Sequence, residues 1–136
     1  YYYGKGISKD YDKAAYYHQK AVDKESDYSA NELAVMYENG YGVKQDYSKA
    51  VELYQLSADK GNKIAQCNLG YCYESGTGTQ RDYSKAVDYY RLSAEQGYAR
   101  AQCNLGFMYE NGYGITRNPS QAFHYLEVQR YPGLLQ

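Results

Sequence analysis

Two histidines and three repeated serines are the side chains of this sequence best suited to chemistry, and neither set has the neighbours that a reaction needs. His18 and His124 have no cysteine or carboxylate at the spacing of a metal site. Serine recurs at one position, as Ser48, Ser84 and Ser120, but no base is evident that would activate it as a nucleophile. We therefore expect no catalytic residue, no bound metal and no cofactor.

Paired glycines could instead mark a loop that holds a phosphate group. The pattern Gly-x-Gly recurs at residues 4–6, 40–42, 76–78 and 112–114. A phosphate-binding loop of this kind follows a strand and leads into a Lys-Ser/Thr pair, and the sequence has neither at these places. The glycines predict turns, because glycine readily adopts the positive φ angles that end a helix and reverse the chain.

Charge and composition give no sign of a nucleic-acid or membrane partner. The 15 basic and 16 acidic side chains are interleaved rather than clustered, so that no surface is expected to attract a polyanion. No apolar run approaches the roughly 20 residues of a membrane-spanning helix. Tyrosine is abundant, with 21 copies against 2 phenylalanines, which indicates positions where a ring packs inside and its hydroxyl reaches water or a backbone group.

The elements that carry these residues repeat every 36 positions. The hexapeptide Ala-Gln-Cys-Asn-Leu-Gly occupies residues 65–70 and returns at 101–106. The same interval separates the glycines of the series Gly4, Gly40, Gly76 and Gly112, and those of the series Gly6, Gly42, Gly78 and Gly114. A fixed period of this length is typical of stacked structural repeats. The hexapeptide therefore recurs because it occupies the same structural position in consecutive units.

Each unit predicts two helices. In residues 26–61, Leu33, Met36 and Tyr37 follow helical spacing up to the glycine turn, and this segment is helix A. Helix B begins after Asp46, a favourable N-cap, and ends at the glycine that closes the unit.

The last unit supports the same boundary for helix B. Its cap is Asn118, and the next residue is Pro119, which suits the first position of a helix because the amide it lacks is unpaired there. Small residues on both helices allow neighbouring backbones to approach closely. Antiparallel helix pairs stacked in this way predict an all-α solenoid with a 36-residue repeat.

The stretch from Ala65 to Gly97 closely resembles a Sel1-like repeat, and the resemblance implies a right-handed α/α superhelix of antiparallel helix pairs. It reads AQCNLGYCYESGTGTQRDYSKAVDYYRLSAEQG, against the family pattern A-x-x-x-L-G-x-x-Y-x-x-G-x-G-V-x-x-D-x-x-K-A-x-x-Y-Y-x-x-A-A-x-x-G. The departures include Ala34 in place of the glycine after leucine, and Thr79 in place of valine. The tetratricopeptide unit is similar but usually has about 34 residues and lacks the second glycine turn, so we rank it lower.

The repeat register divides the chain into one incomplete and three complete units. Residues 1–25 form a partial repeat that lacks most of helix A, because Tyr1 aligns with Tyr37. The complete Sel1-like repeats are residues 26–61, 62–97 and 98–133, and residues 134–136 form a tail. We expect residues 1–136 to be a single α-solenoid, a fragment of a longer array or of a larger protein that carries one.

The three cysteines are expected to be free thiols. Cys67 and Cys72 lie about 140° apart around one helix and cannot bridge each other. Cys67 and Cys103 lie on successive A helices, whose axes should be about 8–10 Å apart, beyond comfortable disulfide reach. Cys72 aligns with Met36 and Met108, which predicts a position in the core. Free thiols favour an intracellular origin.

A binding surface is expected on the A helices. With Leu33 at the centre of the buried face, residues about 160–220° away around the helix point outward. These positions are Tyr28, Asn31 and Val35, then Ile64, Cys67 and Tyr71, then Arg100, Cys103 and Phe107. In the superhelices that the chain resembles, the A helices line the concave side, so these residues would form a groove for an extended peptide or another protein's edge. Alternatively, Tyr71 and Phe107 pack against the adjacent repeat.

Charged residues at the A–B turns have the sign that their own helix dipole disfavours. Glu38, Glu74 and Glu110 end the A helices, and Lys49 and Lys85 begin the B helices. A Glu–Lys contact across the turn or to the next repeat would account for both, although an exposed pair contributes only about 0–1 kcal/mol.

Three functions follow from the resemblance and the residues together. The first is a non-enzymatic scaffold or adaptor that gathers partner proteins, as the Sel1-like family commonly does. The second is a regulatory or substrate-selecting arm of a larger enzyme such as a protein kinase. The third, a hydrolase of the kind suggested for cysteine-rich relatives, ranks lowest because the sequence lacks the chemistry. We expect a protein or extended peptide as partner, with no nucleic acid and no membrane contact by this segment.

Overall fold

The computed structural model describes residues 5–130, with side-chain environments for residues 10–126. Within this range the chain forms seven α-helices and no strand. The helices are α1 (Lys5–Asp23), α2 (Asp27–Asn39), α3 (Tyr47–Asp59), α4 (Lys63–Ser75), α5 (Tyr83–Glu95), α6 (Ala99–Asn111) and α7 (Pro119–Arg130). The predictions made for Tyr1, Gly4, Gly133 and the tail at 134–136 lie outside the described residues.

The helices stack in chain order as an α-solenoid. Helices α2, α4 and α6 are the A helices, and each pairs with the B helix that follows it, α3, α5 or α7. Each A helix also packs against the B helix of the unit before it. The leucines that set the helix A phase, Leu33, Leu69 and Leu105, are all buried, so the predicted phase is confirmed. None of the described helices has the length and apolar character needed to cross a membrane.

Side-chain caps fix where the helices begin. The Oδ1 atoms of Asp46, Asp82 and Asn118 each accept a hydrogen bond from the backbone N–H three residues later, all at 3.1 Å. Such caps satisfy amides that have no partner inside the helix. Ser26 and Asn62 cap α2 and α4 in the same way. The predicted caps of helix B are therefore confirmed.

The glycine turns are confirmed in the three complete units. Both glycines of each pair, at residues 40–42, 76–78 and 112–114, have φ between 69° and 75°. The second position of each pair requires glycine for a further reason, because it lies against the backbone of the preceding repeat. A Cβ at Gly78 would overlap the carbonyl oxygen of Tyr47, and a Cβ at Gly114 would overlap that of Tyr83. The glycine turn of each unit therefore also contacts the beginning of the helix B in the preceding unit.

The first glycine pair does not follow this pattern. The sequence predicts a turn at Gly6, and this prediction is wrong: Gly6 lies inside α1, which continues past Asp10, the residue equivalent to the cap Asp46. In later units the second glycine rests on the helix B of the preceding repeat. The described residues contain no such helix before α1 for Gly6 to contact.

Candidate functional site

The predicted groove residues lie at equivalent positions of the three A helices, and most of them face solvent. Tyr28, Ile64, Tyr71, Arg100, Cys103 and Phe107 are exposed, which confirms their predicted outward orientation. Val35 is half-buried. Tyr71 and Phe107 are 46% and 47% exposed, so neither side chain is buried against the adjacent repeat.

Asn31 and Cys67 are buried, and the prediction that they face outward is wrong. They are only 3% and 1% exposed, because the next A helix covers each of them. Asn68 Nδ2 of α4 donates a hydrogen bond to Asn31 Oδ1 at 3.2 Å. One repeat later, Asn104 Nδ2 of α6 donates to Cys67 Sγ at 3.8 Å. These two residues therefore hold successive repeats together instead of lining a groove.

Six of the predicted groove residues form two rows, which we call the A-helix surface. One row is Tyr28, Ile64 and Arg100, and the other is Val35, Tyr71 and Phe107. Each helix contributes one residue to each row, and the two are seven positions apart, or about 10 Å along the helix axis. The half-buried Asn68 and Asn104 lie between the rows. Sequence reasoning missed these asparagines, although their recurrence in the hexapeptide was the available signal.

Arg100 is the one charged member of the A-helix surface. It is exposed and forms no hydrogen bond or ion pair with the described residues. The ion pair found among these residues joins Arg91 and Asp88 at 3.9 Å, on α5. The guanidinium of Arg100 is therefore available to a carboxylate or another acceptor from a partner molecule.

The glutamates at the ends of the A helices are paired with tyrosines. The Tyr54 hydroxyl donates a hydrogen bond to Glu38 Oε1 at 2.7 Å, and the Tyr90 hydroxyl donates to Glu74 Oε1 at 2.6 Å. Burial, followed by the hydrogen bond to glutamate, raises the pKa of both tyrosines above its usual range. The predicted Glu–Lys contact is wrong for these glutamates, and Lys85 lies over the Tyr73 ring instead, 5.3 Å from its centre.

All three cysteines are free, as predicted, but their surroundings differ. Burial raises the pKa of Cys67 to about 11 and that of Cys72 to about 12. Cys72 belongs to the hydrophobic core, which confirms its predicted position. Cys103 occupies the same repeat position as Cys67 and is exposed, because the described residues contain no following A helix to cover it. The thiolate is the nucleophilic form, so burial lowers the reactivity of these two thiols at neutral pH.

The remaining chemistry-bearing side chains are not brought together. His18 Nδ1 lies 3.0 Å from Ser29 Oγ at the α1–α2 contact, whereas His124 is exposed on α7. Ser48, Ser84 and Ser120 are exposed in the first turns of the B helices. Among the residues whose environments are described, no group of three or more His, Cys, Asp or Glu side chains could hold a metal ion.

A shallow depression at the A–B turn of the second complete unit is a separate feature. It has a volume of about 220 Å³ and is lined by Tyr73, Thr79, Gln80, Arg81, Asp82 and Lys85. Both of its cations lie over tyrosine rings, Arg81 over Tyr83 at 5.0 Å and Lys85 over Tyr73 at 5.3 Å. None of its lining side chains is fully buried, so it lacks the enclosed polar groups of a small-molecule site. The candidate site is therefore the A-helix surface.

Comparison with known proteins identifies the repeat. A family model of the Sel1 repeat matches residues 1–26, 27–62, 63–98 and 99–127. A Sel1 repeat protein from Oxalobacter formigenes is 30% identical, with a TM-score of 0.84 over 90% of this chain and 50% of that chain. The protective antigen c5321, present in uropathogenic Escherichia coli and displaying an SLR fold, is 33% identical, with a TM-score of 0.87 over 90% of this chain and 26% of that chain. No curated protein matches this chain.

These relatives bear on both the architecture and the general role. This chain spans half of one solved relative and about a quarter of the other, so both relatives contain considerably more chain. Sel1 repeats are generally protein–protein interaction modules. Since the family model matches four consecutive segments between residues 1 and 127, the chain belongs to the Sel1 repeat family.

Proposed function

We propose that this chain is a non-enzymatic scaffold or adaptor module whose A-helix surface binds an extended segment of a partner protein. The observation that carries the proposal is the exposure of apolar side chains on two successive A helices in each row, Tyr28 and Ile64 in one row and Tyr71 and Phe107 in the other. The A helices line the concave side in the related superhelices, so the partner segment would run across the stacked repeats.

The apolar rows have the character of a binding surface. Single exposed apolar residues are common on any protein and need no explanation. Here Tyr28, Ile64, Tyr71 and Phe107 are all exposed on successive A helices, two of them in each row. Phe107 touches the Tyr113 ring, 5.8 Å between centres, yet keeps about half of its surface open. Aromatic side chains of this kind are the usual anchors of protein interfaces.

Polar groups between and beside the rows suit a peptide backbone and an acidic side chain. Asn68 uses its Nδ2 to hold Asn31, and its Oδ1 accepts no hydrogen bond from the described residues. That oxygen can accept a hydrogen bond from a bound backbone N–H. Arg100, unpaired within the described part of the chain, can bind a carboxylate. We therefore expect a partner segment with apolar anchors and at least one acidic group.

Capture from a lysate of the source cell tests the proposal. The double variant Tyr71→Ala with Phe107→Ala should lose capture of the partner, because both aromatic anchors are removed. Its helical content and melting temperature should stay close to those of the unmodified chain, since both side chains are about half exposed. Quantitative mass spectrometry of the retained proteins gives the comparison.

A matched control comes from the outer side of the B helices. Leu56 and Leu92 occupy equivalent positions on α3 and α5 and are 40% and 47% exposed, much like Tyr71 and Phe107. Leu56→Ala with Leu92→Ala should leave capture intact. Melting several degrees lower in the aromatic double variant would assign its rings to the core. If that variant stays folded and captures the same proteins, the proposal is wrong, and the B-helix surface with Glu52, Gln55 and Asp88 becomes the better candidate.

A further inference from the structure

Stacked tyrosine rings close two of the junctions between units. Tyr41 stacks on Tyr11 of α1, with ring centres 4.8 Å apart and ring planes at 14°. Tyr113 stacks on Tyr83 of α5 in the same way, at 5.0 Å and 14°. In each pair the first ring comes from a glycine turn and the second from the helix that precedes that unit. Contact between aromatic rings is therefore part of the interface between successive units.

The middle junction lacks the ring from the turn. Tyr47 of α3 is the equivalent of Tyr11 and Tyr83. The turn residue of this junction is Thr77, whose backbone N–H donates to the carbonyl oxygen five residues before it at 3.1 Å, as that of Tyr113 does at 3.0 Å. The backbone is thus the same, and only the ring is missing. Tyr47 is accordingly 45% exposed, whereas Tyr11 and Tyr83 are half-buried.

The third complete unit shows which group fits this place. There the Tyr113 ring contacts both Tyr83 and Phe107, stacked on the first and tilted by 60° against the second, with centres 5.8 Å apart. One repeat earlier, Tyr47 and Tyr71 occupy the positions of Tyr83 and Phe107. We call the open place between Tyr47 and Tyr71 the aromatic slot.

The backbone around the aromatic slot matches that of its filled counterpart. The two turn glycines have φ of 73° and 75°, against 69° and 72° in the third unit. Gly78 lies against the Tyr47 backbone as Gly114 lies against that of Tyr83. The Tyr47 ring is also held at its edge, since Gln45 Nε2 donates a hydrogen bond to its hydroxyl at 3.1 Å. The slot is therefore preformed, which lowers the ordering cost of binding.

We infer that the aromatic slot receives a phenylalanine or tyrosine side chain of the partner segment, which stacks on Tyr47 as Tyr113 stacks on Tyr83. The inference rests on the proposed function, because Tyr71 belongs both to the slot and to the A-helix surface. The slot continues an interface that the chain itself forms at the two neighbouring junctions. Stacked rings attract each other beyond the apolar area that they bury, so an aromatic ring is the occupant that suits it.

Filling the slot from within tests the inference. Thr77→Tyr adds the ring that Tyr41 and Tyr113 carry at the equivalent positions. The probe is a random peptide library displayed on phage, selected for binding to the 136-residue chain. The selected peptides should bind Thr77→Tyr about tenfold more weakly than the unmodified chain. Changing the aromatic residue of a peptide to alanine should cost about tenfold against the unmodified chain and little against the variant, because both changes remove one contact.

Two further variants separate the slot from the rest of the surface. Gln80→Tyr adds the same ring at an exposed position of the same loop outside the slot, and should bind the peptides like the unmodified chain. Phe107→Ala removes an anchor of the A-helix surface that does not line the slot, and should weaken binding if the proposed function is correct. Circular dichroism should show that all three variants keep their helical content.

Each result bears on one of the two claims. Weaker binding by Phe107→Ala but not by Thr77→Tyr would overturn the slot and leave the proposed function standing, whereas the reverse would support the slot and contradict the wider surface. If neither variant weakens binding, or if no peptide is selected, both are wrong. Equal weakening by Gln80→Tyr, or loss of helical content in Thr77→Tyr, would also overturn the inference. Self-association that Thr77→Tyr abolishes would overturn it by making a second copy the occupant.

Discussion

Leu69→Ala should lower the free energy of unfolding by about 2–5 kcal/mol. Leu69 is completely buried in α4 and belongs to a core cluster that includes Leu33 and Tyr54 of the preceding unit. The side chains around it come from two repeats, so they cannot close the cavity without shifting one unit against the other. Urea denaturation followed by far-ultraviolet circular dichroism measures the loss.

The control for Leu69 is a leucine at the surface. Leu92→Ala removes the same atoms from the outer side of α5, where the side chain is exposed, and should change stability by no more than about 0.5 kcal/mol. A loss below about 0.5 kcal/mol for Leu69→Ala as well would mean that the leucine of the hexapeptide does not belong to the core. The stacking of units through equivalent leucines would then be wrong.

Gly78→Ala should also be severely destabilising, by about 2–5 kcal/mol. A left-handed backbone costs a residue with a Cβ about 1–2 kcal/mol, and Gly78 has φ +75°. The added Cβ would also collide with the Tyr47 backbone and Val51, and such overpacking adds about 1–3 kcal/mol. Because the obstacle is backbone of the preceding repeat, the clash is relieved only by moving the two units apart. Chemical denaturation measures the effect.

Gly76→Ala separates the cost of the left-handed backbone from the cost of the collision with the preceding repeat. Gly76 has φ +73°, so an alanine there carries the same left-handed backbone strain as an alanine at position 78. The nearest atom to its added Cβ is Arg81 Cβ at 3.4 Å, which is an ordinary van der Waals contact. This substitution should therefore cost about 1–2 kcal/mol. Equal losses for the two variants would show that the second glycine of the turn does not seat on the preceding helix B.

Local features of each unit could be predicted from the sequence because they depend on short-range chemistry. The leucine phase of helix A, the caps at Asp46 and Asn118 and the paired glycine turns involve residues within a few positions of one another. Periodicity and capping preference act over that range. The outward orientation of Tyr71 and Phe107 was predicted from the same helix phase.

The errors concern contacts between units, which helical periodicity does not contain. Asn31 and Cys67 lie opposite the buried leucine of their own helix, and a single-helix argument predicts that they face solvent. The next A helix covers both, through Asn68 and Asn104. One repeated signal could have corrected this prediction, because an amide that recurs beside the same position in successive units favours a ladder between repeats.

The partners of Glu38 and Glu74 were missed because charge was considered without burial. A glutamate near a helix C-terminus suggests a lysine partner, but each of these glutamates lies next to a buried tyrosine hydroxyl 16 positions further along the chain. A buried hydroxyl requires an acceptor, and this requirement decides the pairing. The third unit keeps Glu110 and has Leu126 in the place of the tyrosine, so the two positions had to be considered together.

Site-specific photocrosslinking tests the central claim, that a partner lies along the A-helix surface, most directly. A photoreactive phenylalanine analogue at Phe107 is compared with the same analogue at Leu92, two positions that are both 47% exposed but lie on A and B helices respectively. Our account predicts that a captured partner is crosslinked from position 107 and not from position 92. Crosslinking from position 92 alone, or equally from both positions, would contradict it.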